Sequence, residues 1–454
     1  MKYFVVAVGV AAATSLAAAA PTPNFQKTKS QKLNSERVFP FPYETVELEN
    51  GLRAYLITAG APGQIAYVSI VRTGSRDEVE PGKSGFAHFF EHMMFRGTEK
   101  YPNYDEETTK MGAFRNAATW ADQTAYYIVA NTEYLEKIID IESDRFQNLK
   151  YSEADFRTEA GAILGEYQNG AREPQRWLNE KVREEAFKTH TYAHTVIGYE
   201  ADVRAMPQGY EYSQSFYQRF YRPENVVVVL AGDFDTAKAK ALIKKYYSPW
   251  KPGYKAPAIE PEPPQTAPRD KTVRYPGRTL PIIAINYKAP KWDPKDKTGV
   301  ALEVLGQVAF GANSAFYRKL VLQERRLQYV APTFGLARDP YVVTIQAMVS
   351  KPEDTKAVEA EIMAEVKKFH ATLVDAKKLA DTKSSIKYGL LMGMEAAQDV
   401  AFAVMQPIVN NGRLEALVDY MKTLESLTPE DLREAATKYL IESGRTTITM
   451  VQEG

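Results

Sequence analysis

Three ionisable side chains in the segment His88-Phe-Phe-Glu91-His92 have the types and the spacing of a metal site with its own base. Glycines at positions 82, 85 and 97 bracket the segment, and its interior lacks Gly and Pro, which predicts a helix. On a helix, positions i and i+4 lie about 40° apart around the axis, so His88 and His92 can share one metal ion. Glu91 lies at the edge of that face and can reach a metal-bound water without being a ligand.

Zinc fits these nitrogen ligands, and a catalytic zinc site needs a third protein ligand and one open position. The candidates are Glu159 and Glu166, which lie two turns apart on a predicted helix and so share one face. Ala162 and Ile163 beside them indicate a buried face, where a carboxylate must be paired or bound to metal. Spacing alone does not choose between the two glutamates.

Other interpretations of the histidines remain open at this point. His88 and His92 alone are also compatible with an ordinary amphipathic helix. His190 and His194 repeat the four-residue spacing, but they stand among Thr, Tyr and Gly residues that are typical of a loop. His370 falls on a predicted amphipathic helix and has no partner of this kind.

The composition narrows the class of protein. A chain of 454 residues with 44% hydrophobic and 25% charged residues indicates a soluble globular protein of two or more domains. Basic and acidic residues balance at 57 each, which gives no support for a nucleic-acid partner. The chain contains no cysteine, so disulfides, thiolate ligands and a cysteine nucleophile are excluded.

The N-terminus is typical of a secretory signal peptide over residues 1–20. A basic start precedes an apolar run and a small-residue zone before Pro21. The alternative is an N-terminal membrane anchor, but the run is alanine-rich and barely long enough to span. We expect an exported, periplasmic protein without stable membrane insertion.

A proline-rich segment, residues 249–270, predicts a linker between two domains, residues 35–248 and 271–454. The halves follow a similar plan. Each opens with strand patterns and continues with helices, and each ends with a helix followed by a buried strand. The sequence therefore predicts an α+β fold made by duplication of one unit.

Four segments resemble the insulinase/pitrilysin (M16) zinc metallopeptidases, in particular the short-chain branch that includes mitochondrial processing peptidases and bacterial M16B peptidases. They are GSRDEVEPGKSGFAHFFEHMMFRGT, GAFRNAATWADQTAYYIVA, HTYAHTVIGYEADV and FYRPENVVVVLAGDF, and they occur in the family's order. The resemblance covers essentially the whole chain after residue 20. It implies two homologous domains, each a mixed, mostly antiparallel sheet flanked by helices, enclosing a chamber on dimerisation.

The resemblance also implies roles for individual residues. One Zn²⁺ per chain is held by His88, His92 and Glu166, with Glu91 as the catalytic base and Glu159 as an auxiliary glutamate behind the site. The first domain is then catalytic and the second noncatalytic. A peptide or an unfolded segment adds as a strand to an edge that matches Asn116, Ala117, Ala118 and Thr119.

One departure from the family pattern concerns a substrate-binding Arg and Tyr seven residues apart in the second half. Tyr329 is present, but the Arg position falls on Val321 or Leu322, and Arg325 and Arg326 lie too close to the tyrosine. We therefore expect a zinc endopeptidase whose partner subunit, an M16-like chain without the zinc motif, supplies this pair in a heterodimer. The alternative is a noncatalytic M16-like scaffold or binding subunit.

Overall fold

The computed structural model describes residues 39–60 and 62–453. The predicted signal peptide, residues 1–20, lies outside this range. Within it, no helix is both long and apolar enough to span a membrane.

A six-stranded mixed sheet forms the centre of the N-terminal half. Its strands are β1 (Tyr43–Glu47), β2 (Arg53–Thr58), β3 (Gln64–Val71), β4 (Phe114–Thr119), β5 (Thr124–Asn131) and β6 (Val226–Gly232). Their order is β1-β2-β6-β3-β5-β4, and only β2 and β6 pair in parallel. The helices of this half are α1 (Phe86–Met93), α2 (Tyr104–Lys110), α3 (Leu135–Asn148), α4 (Glu153–Gly170), α5 (Pro174–Ala186), α6 (Glu200–Ala205), α7 (Tyr210–Phe220) and α8 (Thr236–Tyr247).

A five-stranded mixed sheet forms the centre of the C-terminal half. Its strands are β7 (Arg269–Tyr275), β8 (Ile282–Ala289), β9 (Leu327–Phe334), β10 (Tyr341–Val349) and β11 (Arg445–Gln452), in the order β7-β11-β8-β10-β9. The helices are α9 (Lys297–Phe310), α10 (Ala315–Tyr317), α11 (Thr355–Ala371), α12 (Ala376–Met392), α13 (Ala397–Asn411), α14 (Glu415–Ser426) and α15 (Pro429–Tyr439).

The two sheets share one topology. Without β1, the first sheet runs β2-β6-β3-β5-β4, which matches β7-β11-β8-β10-β9 strand for strand. The strand that comes last in each half, β6 or β11, lies between the first two of the five matching strands. It pairs in parallel with one of them and antiparallel with the other. This confirms the predicted α+β fold of two related domains with mixed, mostly antiparallel sheets.

Local sequence signals explain several of these elements. The Asn50-Gly51 turn joins β1 and β2 as an antiparallel hairpin, with Gly51 at φ 91°. Thr428 caps α15 by accepting the backbone N–H of Asp431, whose carboxylate accepts the N–H of Thr428 in return. Both features follow from the sequence as predicted.

Each sheet carries a helix that comes from the other half. Val404 and Ile408 of α13 pack in one apolar cluster with Val68 and Val229 of the first sheet. Reciprocally, Leu178 of α5 packs with apolar residues of the second sheet, Val273, Ile282, Ile448 and Met450. The two halves therefore complete each other's apolar cores.

Residues 251–266 between the halves have almost no regular secondary structure. Strand β7 begins at Arg269, within the predicted linker. Glu262 in this segment accepts backbone N–H groups of Lys188, Thr189 and His190, so the connection is fastened to the N-terminal half. The boundaries at residues 35, 248, 270 and 454 stay predictions.

Candidate metal centre and strand edge

Helix α1 presents His88, Glu91 and His92 on one face while its other face is buried. Gly85 caps the helix in the left-handed conformation, with φ 93°, as the bracketing glycine predicted. The buried Glu78 carboxylate accepts the backbone N–H groups of Gly85 and Ala87, at 2.8 and 2.7 Å. This acceptor fixes the start of the helix and thereby the direction of the three side chains.

Helix α4 brings the two candidate glutamates to the same place. Ser152 caps it through a reciprocal pair of bonds with Asp155. Glu159 and Glu166 are both half-buried, which is less than the predicted burial. Ile163 is buried as expected, but Ala162 is exposed, so that expectation was wrong. The reason is that Ala162 and Ile163 flank the two glutamates on opposite sides of the helix, about 100° apart, and only the Ile163 side is buried.

Three potential ligand groups converge between α1 and α4. The Nε2 atom of His88 lies 3.5 Å from Glu166 Oε2, and Nε2 of His92 lies 3.7 Å from Glu166 Oε1. One ligand atom from each of these three residues falls within 4.8 Å of the others. Glu159 is not part of this group. The geometry thus separates the two glutamates that the spacing left equivalent.

Glu159 instead lies behind the second histidine. The Nδ1 atom of His92 donates to Glu159 Oε1 at 2.9 Å, and Arg96 donates its Nε to Glu159 Oε2 at 3.2 Å. With its Nδ1 bonded in this way, His92 offers the Nε2 lone pair to a metal ion. Sequence reasoning missed Arg96, although its position one turn after His92 was a usable signal.

The pKa values of the two histidines are shifted in opposite directions. Burial, followed by the charges of His92 and Arg176, lowers the pKa of His88 to about 3, so this ring is neutral. Burial also lowers the pKa of His92, but the bond to Glu159 and the charge of Glu166 outweigh it and the net shift is upward. The hydrogen bond from His92 lowers the pKa of Glu159.

A zinc ion fits this donor set. Two imidazoles and a carboxylate are ligands of catalytic zinc, and three protein ligands leave a position open. The neutral His88 cannot form an ion pair with Glu166, although its Nε2 lies 3.5 Å from that carboxylate. A cation between the rings and the carboxylate resolves this arrangement.

Glu91 points toward the edge strand of the sheet. The Thr119 hydroxyl donates to Glu91 Oε2 at 2.7 Å. Burial raises the pKa of Glu91, against the bond from Thr119 and the charge of His92, which lower it. A carboxylate with a raised pKa next to a metal site has the properties of a general base.

Residues Asn116–Thr119 lie on β4, which ends the order of the sheet within the described chain. Trp120 donates its N–H to the carbonyl of Gln123 at the hairpin turn, 2.8 Å away. Because bonded pairs alternate along an antiparallel ladder, the backbone groups of Ala117 and Thr119 point away from β5. The Ala117 N–H is occupied by Asn116 Oδ1 at 2.9 Å. The edge can accept another strand once this side chain moves.

The substrate-binding candidates of the C-terminal half are not members of the metal-binding group found among the described residues. Tyr329 is on β9, and its hydroxyl accepts a bond from Gln346 at 2.5 Å. Val321 and Leu322, the positions where an arginine was sought, lie on a π-helical turn, Arg318–Gln323. Leu322 is 58% exposed. No arginine takes the expected place on this turn.

The remaining histidines have other surroundings. His190 and His194 flank a short 3-10 turn and are both buried. His190 Nε2 lies 3.0 Å from Asp339, and His194 Nδ1 donates to the Thr195 carbonyl. His370 lies on α11 as predicted. Among the described residues these three histidines do not join the metal-binding group.

Comparison with known proteins identifies the family to which the chain is similar. Residues 56–200 match the family described as Insulinase (Peptidase family M16), and residues 210–386 match the Peptidase M16 inactive domain. The chain is 26% identical over 415 residues to the zinc protease PqqE of Helicobacter pylori, covering 89% of this chain and 92% of that one. It is 23% identical over 404 residues to the mitochondrial-processing peptidase subunit beta of Caenorhabditis elegans, covering 87% and 86%.

The fold has solved counterparts as well. The crystal structure of a protease from Helicobacter pylori superposes with a TM-score of 0.84 at 26% identity, over 90% of this chain and 99% of that one. With both halves matched by family profiles and the fold reproduced across nearly the whole length, the chain belongs to the M16 (insulinase) peptidase family.

Proposed function

We propose that the chain is a zinc-dependent endopeptidase that hydrolyses peptides or unfolded segments. The observation that carries this proposal is the convergence of His88, His92 and Glu166, with Glu91 beside them and bonded to the edge strand. Membership of a peptidase family supports the reaction class. The match of residues 210–386 to a domain described as inactive supports a noncatalytic C-terminal half.

In this proposal His88, His92 and Glu166 hold one zinc ion, and Glu159 keeps His92 in its ligating tautomer. When bound, zinc supplies a Lewis acid for a water molecule and for the peptide carbonyl. Glu91 accepts the proton of the attacking water and delivers it to the leaving amine. Burial raises the pKa of Glu91, which makes its carboxylate a stronger proton acceptor, and Thr119 orients that carboxylate.

The substrate binds as an extended strand along β4. Within the edge Asn116–Thr119, the outward backbone groups of Ala117 and Thr119 then pair with the peptide, which gives affinity with little dependence on sequence. The bond from Thr119 to Glu91 links this edge to the base, so a strand placed there lies beside the metal-binding residues.

A second subunit completes the site in this proposal. Leu322 and Val321 stand where a substrate-binding arginine is expected, and Tyr329 is engaged by Gln346. We therefore propose a heterodimer with an M16-like chain that lacks the zinc motif, the two chains enclosing a chamber. One relative is named as a subunit of its peptidase, which is consistent with such an assembly. The leader-like residues 1–20 support export to the periplasm.

Metal analysis and a Glu91→Gln variant test the catalytic proposal. We expect about one zinc per chain in both proteins, and peptidase activity lowered by about 10²–10⁴-fold in the variant. A noncatalytic scaffold would instead show no peptidase activity in the wild type, alone or with its partner.

Partner dependence is tested separately with the purified single chain. We expect low activity alone and a gain when the product of a neighbouring M16-like gene is added. Full activity of the single chain would contradict the heterodimer and leave the zinc site untouched.

A further inference from the structure

Arg176 packs against the face of α4 that carries the two glutamates of the site. It is the third residue of α5, and residues 171–173 separate this helix from the end of α4. Its guanidinium rests on Gly170, where an added Cβ would lie 2.2 Å from Arg176 Cζ. Gly170 stands four residues after Glu166, hence on the same helix face and about 6 Å further along the axis.

The position of this arginine is held from the C-terminal half. The neighbouring Gln175 exchanges two amide hydrogen bonds with Gln346, at 2.6 and 3.1 Å. Gln346 also donates to Tyr329. This chain of bonds ties the start of α5 to strands β9 and β10, so the guanidinium is presented from an anchored helix end.

The guanidinium has no acidic partner in the described part of the chain. The carboxylates nearest to it along α5, Glu180 and Glu184, pair with Lys181. Arg96, the other arginine close to the metal-binding group, is bound to Glu159.

A purely structural role at the end of α4 explains these contacts less well. A cation can stabilise a helix C-terminus. Here, however, the last carbonyls of α4 already have backbone partners, because Tyr167, Asn169 and Gly170 accept the N–H groups of the turn that follows. A half-buried guanidinium without an acceptor is suited to an anionic ligand.

We propose that Arg176 binds a carboxylate of the bound peptide, from an Asp or Glu side chain or from the peptide's C-terminus, beside the metal-binding residues. This assignment rests on the proposed peptidase function and adds a substrate class to it. Helix α1 contacts both α4 and β4, so in this proposal a peptide strand on β4 passes close enough to α4 for an acidic group within a few residues of the scissile bond to reach the guanidinium.

Matched peptides test the proposal. In a quenched-fluorescence series, one position at a time near the cleavage site is Glu, Gln or Lys, each with a free or an amidated C-terminus. We expect wild-type kcat/KM to favour Glu over Gln at one position by about tenfold, the scale of a charge-assisted hydrogen bond. If the terminal carboxylate is the ligand, the Glu and Gln peptides are cleaved equally well, and amidation lowers kcat/KM of both by about tenfold.

The variants are Arg176→Gln, Arg176→Glu and Arg176→Lys, with Arg172→Gln as the control. Arg172 is exposed and lies in the turn before α5, so this control removes the same charge nearby. We expect the preference to vanish in Arg176→Gln, to shift to Lys in Arg176→Glu, and to persist in Arg176→Lys and Arg172→Gln. The proposal is overturned if Arg176→Gln keeps both the wild-type Glu-to-Gln ratio and the wild-type response to amidation.

Binding measurements separate this inference from the proposed function. Fluorescence anisotropy of the Glu and Gln peptides on the metal-free Glu91→Gln protein reports the preference without catalysis. We expect the same tenfold ratio there, lost on adding Arg176→Gln. If wild type cleaves no peptide, alone or with its partner, but this ratio is found, the peptidase proposal fails and the carboxylate site stands. A ratio of one, with no loss of affinity on amidation, overturns the site.

Discussion

Glu159 is the side chain through which the site controls one of its own ligands. It bonds His92 on one side and Arg96 on the other, and the bond from His92 holds its pKa down. A carboxylate behind a ligating histidine fixes the ring and raises its basicity. In the proposed zinc site, Glu159 would therefore act on the metal through His92 without being a ligand.

The first prediction follows from this contact. Glu159→Gln keeps the volume but removes the charge, so we expect zinc affinity to fall by about 10–100-fold. Competition with a chromophoric chelator measures it. Glu153→Gln, at an exposed position on the same helix, serves as the control and should leave the affinity unchanged. Unchanged affinity in Glu159→Gln would show that the tautomer is fixed by other means.

Glu303 provides a prediction about pH. Burial raises its pKa from 4.5 to about 7, although Tyr420 donates a bond to one oxygen. The other oxygen is buried and has no hydrogen-bond partner among residues 39–60 and 62–453. Between pH 4.5 and 7 the unfolded chain therefore binds fewer protons than the native state, so the free energy of unfolding falls as pH rises. The loss is complete above pH 7, where it is about 3 kcal/mol, and it is absent below pH 4.5.

Glu303→Gln removes this titration while retaining an acceptor for Tyr420. We expect the variant to unfold at a higher temperature than wild type at pH 8 and to show no gain at pH 4.5. Thermal unfolding at the two pH values measures the difference. Glu353→Gln, at an exposed position, should change neither value. A variant that gains nothing at pH 8 would contradict the raised pKa.

At the scale of elements, the start of α1 decides where the three chemical groups point. Gly85 has φ 93°, and a Cβ on it would lie 2.6 Å from the carbonyl oxygen of Ile197. Gly82 also has a positive φ, 75°, but an added Cβ there meets nothing within 4 Å. The pair therefore separates backbone strain from a steric clash.

We expect Gly85→Ala to destabilise the protein by about 2–4 kcal/mol and to weaken zinc binding, because relieving the clash moves the first turn of α1. Gly82→Ala should cost about 1 kcal/mol and leave zinc binding intact. Chemical denaturation and chelator competition on both variants measure these effects. Equal losses in the two variants would mean that the contact with Ile197 is unimportant.

The sequence predicted several of the helices and strands and some of the candidate site residues. The hairpin at Asn50-Gly51 and the capped helix at Thr428 carry local signals, since turn and cap residues act within a few positions. The i, i+4 spacing predicted that His88 and His92 share a face. Spacing could not choose between Glu159 and Glu166, because that choice depends on how α4 lies against α1, a matter of packing between distant segments.

The contact of Arg176 with Gly170 could not be predicted for the same reason. The residues next to Arg176 in the sequence do not indicate that its guanidinium packs against the end of α4. The π-helical turn around Leu322 was likewise not foreseen, although a one-residue uncertainty in placing the missing arginine pointed to this segment.

At the scale of the whole molecule, the exchanged helices make the halves interdependent. Helix α13 covers apolar strands of the first sheet, and α5 covers strands of the second. Separating the halves would expose both apolar faces to water at about 25 cal/mol per Å². A duplicated fold could have produced two autonomous domains, but this packing predicts one cooperative unit.

Val404→Asp tests that cooperativity. Val404 is buried on α13 against the N-terminal sheet, so an unpaired carboxylate there should destabilise the protein by about 3–5 kcal/mol. Although α13 belongs to the C-terminal half, we expect β3 and β6 to lose protection at the same denaturant concentration as β8 and β11. Hydrogen exchange followed by mass spectrometry measures this strand by strand.

Met392→Asp, at a position that is 71% exposed on α12, controls for the added charge. If the C-terminal strands keep their protection while the N-terminal strands lose theirs, the halves fold independently, because a coupled structure cannot open one sheet without uncovering the other.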